Sequence, residues 1–228
     1  METPRHSRPA PDTPTPILKA DSLRLATGQG LVFDTLSVDI PRGALCAITG
    51  KAGAGKSALL LALTGRMQGV TGSLVVDGHD ARRHPRRVRS ATSVARIDTL
   101  IEPEASLSLE DCITERTLAD AAPARARMAN YLHTAGLLGL TAPLSTLYGR
   151  LTPADQVRAA VALATIRPAT LVVVDDVDRE TTAREQADLW TALGRLADHG
   201  VTVIATTSEL AALPGDLLRI EMEPTHAR

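Results

Sequence analysis

The chain has 228 residues, 44% of them hydrophobic, enough to bury a core as one domain or as one domain with an insertion. A formal net charge of −1 leaves no global field to draw the protein onto nucleic acid or an anionic membrane, and sets aside a dedicated DNA-binding role. Its two cysteines, Cys46 and Cys112, lie far apart with no metal-ligand spacing and read as small apolar residues in a reducing compartment.

Residues 1–16 are punctuated by Pro4, Pro9, Pro11, Pro14 and Pro16 and contain no apolar stretch. Such a segment buries too little to offset its ordering entropy, so a disordered tail is expected rather than a signal peptide or a membrane span. Alternation in Leu36–Ile40 predicts a half-buried strand, and Pro41–Gly43 turns it into a second run, Ala44–Ile48. A helix is expected from Lys56 to about Met67, apolar at Leu59, Leu60 and Leu63 and closed off by Gly69 and Gly72. Ser73–Gly78 reads as a strand ending in the Asp-Gly signal for a hairpin.

Between about Ile97 and Arg150 no strand pattern shows, while the stretch after Leu109 and Ala124–Leu140 favour helix formers. Strand character returns at Thr170–Val174, Val201–Thr206 and Leu217–Met222, with a helix over Thr182–His199 between the first two. Continuous apolar strands separated by helices predict a mainly parallel sheet covered on both faces. Apolar runs such as Ala58–Leu63 are far short of the roughly 20 residues that cross a bilayer.

Gly50-Lys51-Ala52-Gly53-Ala54-Gly55-Lys56-Ser57 fits G-x-x-x-x-G-K-[ST] and lies between an expected strand and an expected helix. Glycines let the backbone curl so that its N–H groups and the helix N-terminus face phosphate. Lys56 would reach the β- and γ-phosphates and Ser57 would ligate Mg²⁺. The acidic partner such a loop needs stands at the end of Val172-Val173-Val174-Asp175-Asp176, with Asp175 expected at the metal and Asp176 placed to orient or deprotonate a water.

With both motifs in place, the layout from about Ile17 to Met222 resembles the ATP-binding cassette ATPases. The resemblance implies a P-loop α/β core with a mainly parallel sheet, an N-terminal antiparallel β subdomain and a helical insertion at about residues 98–165, all within one domain spanning 17–228. It also implies that Leu151-Thr152-Pro153-Ala154-Asp155-Gln156 is similar to the family signature Leu-Ser-Gly-Gly-Gln, which opens a helix. Capping explains the same residues structurally: Thr152 as N-cap, Pro153 in the first turn and Asp155 completing a capping box.

Several positions depart from the family pattern. In the family two such domains sandwich ATP head to tail, and the signature of one donates to the γ-phosphate held by the other. Pro153 has no N–H to donate and Ala154 adds a side chain where glycine lets the backbone approach. The family's catalytic glutamate corresponds to Asp176, one methylene shorter, and a misplacement of about 1 Å can cost on the order of a hundredfold in rate. The switch histidine corresponds to Ser208. The glutamine that opens the insertion has no match near Arg96–Thr99, where Asp98 is the nearest stand-in, and no Tyr occurs near Ala26 or Thr27 to stack on adenine. Val177-Asp178-Arg179-Glu180 does not match the family's Ser-Ala-Leu-Asp loop.

The arginines at 82, 83, 86, 87 and 89 have no interleaved aromatics and read as a solvated connection after the hairpin; Trp190 reads as core. The resemblance implies an ATP-binding subunit that works with a separate membrane permease and a second ATPase subunit, or a copy of itself. The expected place is the inner face of the membrane, reached through that partner, with slow hydrolysis of MgATP. A nucleotide-gated module that barely hydrolyses is the alternative, and no role with nucleic acid is expected.

Overall fold

The computed structural model describes residues 15–98, 100–121 and 125–223. The tail expected at residues 1–16 lies outside them except for Thr15 and Pro16, and so does Ala124, the expected start of a helix. Strand β1 (Leu18–Thr27) pairs antiparallel with β2 (Gly30–Ile40), so the strand expected at Leu36–Ile40 is the end of a longer one. Pro41–Gly43 then leads into β3 (Leu45–Gly50) in a different sheet, making it a link between layers rather than a hairpin turn.

Helix α1 (Lys56–Leu63) stops four residues before the expected Met67. Thr64 bends its hydroxyl back to the Leu60 carbonyl at 3.0 Å, Gly65 takes φ +66°, and the Arg66 N–H closes on the Leu61 carbonyl at 2.8 Å. β4 (Thr71–Val76) and β5 (His79–Asp80) form the expected hairpin, with Asp77 and Gly78 both at positive φ, as a type I′ turn demands. The arginine-rich segment is solvated as expected at Arg82, Arg83, Arg86 and Arg87, and its second half forms the short helix α2 (Pro85–Ala91).

An unexpected strand, β6 (Thr92–Arg96), follows. Helices α3 (Leu109–Ala119) and α4 (Arg127–Leu138) occupy the middle third, then α5 (Pro153–Ala164), β7 (Leu171–Val174), α6 (Ala183–Asp198), β8 (Thr202–Thr207) and β9 (Leu218–Met222). Thr152 caps α5 by accepting from the Asp155 N–H at 3.2 Å, but the Asp155 carboxylate turns to Arg158 at 2.8 Å rather than completing a box. The reciprocal capping box sits on α6, between Thr182 and Glu185.

The strands form two sheets: antiparallel β2-β1-β4-β5, and parallel β6-β7-β8-β3-β9. Side chains of the parallel strands alternate between two buried cores. Val172, Val174, Val203 and Ala205 pack with α3 to α6, whereas Leu171, Val173, Ile204 and Ile48 pack with α1 and the antiparallel sheet. Burial on both faces is why these strands read as unbroken apolar runs. Trp190 lies in the first of these cores, as expected.

The outer edge of β6 is closed by side chains. The Thr92 carbonyl accepts from Arg66 and Arg167, at 3.1 and 3.2 Å, and the Val94 carbonyl accepts from Arg116 at 3.1 Å.

Candidate functional site

Parallel pairing sets Val174 beside Ala205 and Thr49 beside Thr207, so the carboxyl ends of β3, β7 and β8 finish together. The loop Gly50–Ser57, Asp175 and Asp176, and the segment after Thr207 therefore meet at one end of the sheet, where open α/β sheets bind ligands. They enclose a cavity of about 870 Å³, lined among others by Gly53, Lys56, Ser57, Asp176, Arg179 and Ser208.

Close approach of neighbouring atoms demands glycine at two positions in the loop. At Gly50 (φ +153°) a Cβ would meet the Met222 carbonyl at 2.4 Å, and at Gly55 (φ +86°) it would meet the Val32 side chain at 2.8 Å. Gly53 faces open space, so its backbone is available to a ligand. The loop also turns on itself through Ala54 N–H to the Lys51 carbonyl at 3.2 Å. Lys56 is buried, and its ammonium donates to the Gly50 and Lys51 carbonyls at 3.0 and 3.3 Å. Ala52 and Ser57 lie on the cavity wall, and Ala54 is buried beneath the loop.

Asp175 is fully buried at the end of β7. One of its oxygens accepts from the Thr206 hydroxyl, which in turn accepts from the Asp176 N–H at 2.7 Å. The second oxygen, Oδ2, is buried without a hydrogen-bond partner. An ionised oxygen in that state is costly unless a cation or donor meets it. Asp176 lines the cavity at φ +46°. Burial, then the neighbouring Asp175, raises its carboxyl above the usual range, with Lys56 pulling the other way. The left-handed region admits Asp and Asn more readily than longer side chains, which gives the aspartate a backbone reason.

Two residues that the sequence did not single out hold this end of the sheet. Thr206 ties the Asp175 carboxylate to the Asp176 backbone N–H. Arg96, buried at 1% exposure, donates to the carbonyls of Asp175 and Asp176 at 3.1 and 2.6 Å. The sequence carried one faint signal for Arg96, a charged residue closing an otherwise uncharged stretch, Ser90–Ala95.

Among the departing positions, Ser208 sits on the cavity wall but gives its hydroxyl to Asp178 at 2.7 Å. Burial works against the Asp178 charge, but a set of hydrogen bonds led by the Ser208 hydroxyl and N–H more than offsets it and holds this carboxyl below the usual range. Asp98 pairs with Arg179, which also reaches Glu102 at 2.6 Å. Thr152, Pro153 and Ala154 line none of the cavity, so the candidate site and the signature-like turn are separate within one chain. Ala26 and Thr27 are exposed at the end of β1.

The donor set fits a magnesium nucleotide: a glycine cradle, a buried lysine, a hydroxyl on the wall and a carboxylate oxygen lacking a partner. Ser57 and Asp175 would hold the cation. Among the described residues, no cluster of three or more His, Cys, Asp or Glu is built for any other metal.

Residues 33–179 match the family described as ABC transporter. The chain is 25% identical over 204 residues to the ribose import ATP-binding protein RbsA of Corynebacterium glutamicum, which covers 86% of this chain and 38% of that protein. It is 31% identical over 193 residues to the lipoprotein-releasing system ATP-binding protein LolD of Bordetella avium, covering 79% of this chain and 81% of that one. It therefore spans little more than a third of the first relative's length and about four fifths of the second's. Among solved structures, a nucleotide-free ATP-binding cassette from an ABC transporter superposes with a TM-score of 0.74 at 13% identity, over 92% of this chain and 88% of that one. CbiO1 from Clostridium perfringens, part of the ABC transporter complex cbiONQ, gives 0.72 at 18% identity, over 86% and 79%. At these identities the structures speak to the fold, a P-loop core with parallel and antiparallel sheets.

Proposed function

Because the chain belongs to the ABC transporter family, we propose that it is the ATP-binding subunit of a membrane transporter, which binds MgATP between Gly50–Ser57 and Asp176 and hydrolyses it slowly. The observation that carries this reading is the convergence of the glycine cradle and Lys56 with Asp175, whose Oδ2 is buried and unpartnered. Bound Mg²⁺ would supply Lewis-acid stabilisation of phosphate oxygens. The chain itself would supply loop N–H groups and Lys56 for the phosphates, Ser57 and Asp175 for the cation, and Asp176 to orient and deprotonate the attacking water.

The working unit is one nucleotide-binding domain over residues 17–228, with a helical subdomain at about 98–165. It closes head to tail on a second ATPase subunit or a second copy and drives a separate permease. Among the described residues no helix is long and apolar enough to cross a membrane. The proposed attachment to the inner face runs through that partner. Slow turnover follows from the short Asp176, from a serine in place of the switch histidine, and from Pro153 and Ala154 in the signature-like turn. A homodimer would combine these defects at each composite site.

The engaged Ser208 hydroxyl favours a second reading, a module that closes on nucleotide and barely hydrolyses it. MgATP binding and single-turnover hydrolysis by the purified chain separate the two, with Lys56→Ala as the control. Binding lost in the control alongside hydrolysis near background favours the gating module. Hydrolysis abolished by both Lys56→Ala and Asp176→Ala favours the ATPase subunit. A turnover above about 1 per second, an ordinary enzyme rate, would sink the proposal of slow hydrolysis.

A further inference from the structure

Among the described residues lining the cavity, the cations are Lys56 and Arg179, against the carboxylates Asp176, Asp178 and Glu209. Lys56 is buried in the loop and fixed by two carbonyls. Arg179 is partly exposed at the cavity wall, three residues past Asp176, and its N–H closes a turn on the Asp176 carbonyl at 3.1 Å. Its guanidinium is held by two carboxylates at once, Asp98 through Nη1 and Glu102 through Nη2 at 2.6 Å. Glu102 also lies 3.9 Å from the guanidinium of Arg96, which supports the backbone of Asp175 and Asp176.

Asp98 and Glu102 thus occupy one of the two described cations lining a cavity that also carries three carboxylates and must accept a polyanion. A triphosphate brings a competing acceptor to the same wall, and guanidinium pairs readily with phosphate oxygens. We propose that Arg179 is the residue that distinguishes ATP from ADP in this chain, exchanging Asp98 and Glu102 for the terminal phosphate. The inference rests on the nucleotide-site reading above.

The exchange makes phosphate binding and carboxylate pairing mutually exclusive, so each must weaken the other by the same factor. Removing the carboxylate charge in Asp98→Asn/Glu102→Gln frees Arg179 and strengthens MgATP binding several-fold, with MgADP affinity unchanged. Arg179→Ala lowers the ATP-over-ADP preference by about tenfold, the size of an ordinary coupling between two sites. In the triple variant the gain from the neutral pair disappears, because the residue that transmits it is gone. Arg179→Lys restores part of the preference through charge alone.

The test is equilibrium titration of the full chain and these variants with MgATP and MgADP, with thermal unfolding to establish that each is folded. An unchanged ATP-to-ADP ratio in Arg179→Ala, or an equal gain from the neutral pair with and without Arg179, overturns the proposal. If Arg179→Ala does not fold, the neutral pair decides alone: a gain confined to ATP supports the exchange, and equal effects on both nucleotides overturn it. The nucleotide-site reading fails separately, through parent binding that is absent or indifferent to Lys56→Ala; unchanged ratios with Lys56-dependent binding defeat only the role of Arg179.

Discussion

Asp178 holds Ser208 twice through a single oxygen, accepting its hydroxyl at 2.7 Å and its N–H at 2.8 Å, and takes the Glu209 N–H at 3.2 Å as well. The segment after Asp176 is thereby pinned to the segment after β8, two walls of the same cavity. Because its folded carboxyl titrates below the unfolded one, Asp178 stabilises the fold above the unfolded value of about 3.9, and that contribution is lost as pH falls through the folded pKa. Asp178→Asn is expected to lower Tm at pH 7, with the gap between parent and variant closing below about pH 4. Unfolding scans from pH 3 to 7 check this; a gap that stays constant would mean the charge is irrelevant.

Asp176 has the opposite sign. Its folded pKa is raised, so its ionisation costs stability once pH climbs above the unfolded Asp value of about 3.9 and through the folded one. Asp176→Asn should raise Tm at pH 7, match the parent near pH 3, and reduce hydrolysis to background. The acid limb of the parent pH–rate profile should sit above the ordinary aspartate range.

Restoring the longer carboxylate separates reach from backbone. Asp176→Glu is expected to speed single-turnover hydrolysis by about tenfold or more. It should also destabilise the chain by about 1 kcal/mol, because φ +46° suits Asp better than Glu. Paired rate and denaturation measurements decide it; a slower enzyme would mean that the left-handed backbone, not side-chain length, sets the geometry.

Arg96→Met keeps the volume and removes the donors that serve the Asp175 and Asp176 carbonyls. A loss of about 3 kcal/mol is expected from leaving these buried acceptors unpaired. Urea unfolding measures it, and a loss under about 1 kcal/mol would show that water or another side chain takes over.

The parts of the site that could be read in the sequence are contiguous. Eight residues carry the loop, and a single apolar run delivers Asp175 and Asp176, so local spacing sufficed. Arg96 and Thr206 were missed because their partners lie 79 and 31 residues away, a distance at which no sequence pattern announces a hydrogen bond. β1 was missed for a local reason: Ser22 takes φ +52°, the register shifts there, and the alternation of Leu18 and Ala20 resumes out of phase at Leu23 and Leu25. The helix after the loop was drawn too long because its apolar period continues to Met67 while Thr64 and Gly65 have already turned the backbone. The hairpin was legible because Asp-Gly dictates its turn.

Three arginines from three different parts of the chain, Arg66, Arg116 and Arg167, occupy the outward carbonyls of β6. A bare strand in that place is a template onto which another polypeptide can add. With these acceptors taken, the parallel sheet cannot grow past β6 by adding a strand there. Whatever docks along this edge must therefore do so through side chains rather than by continuing the sheet.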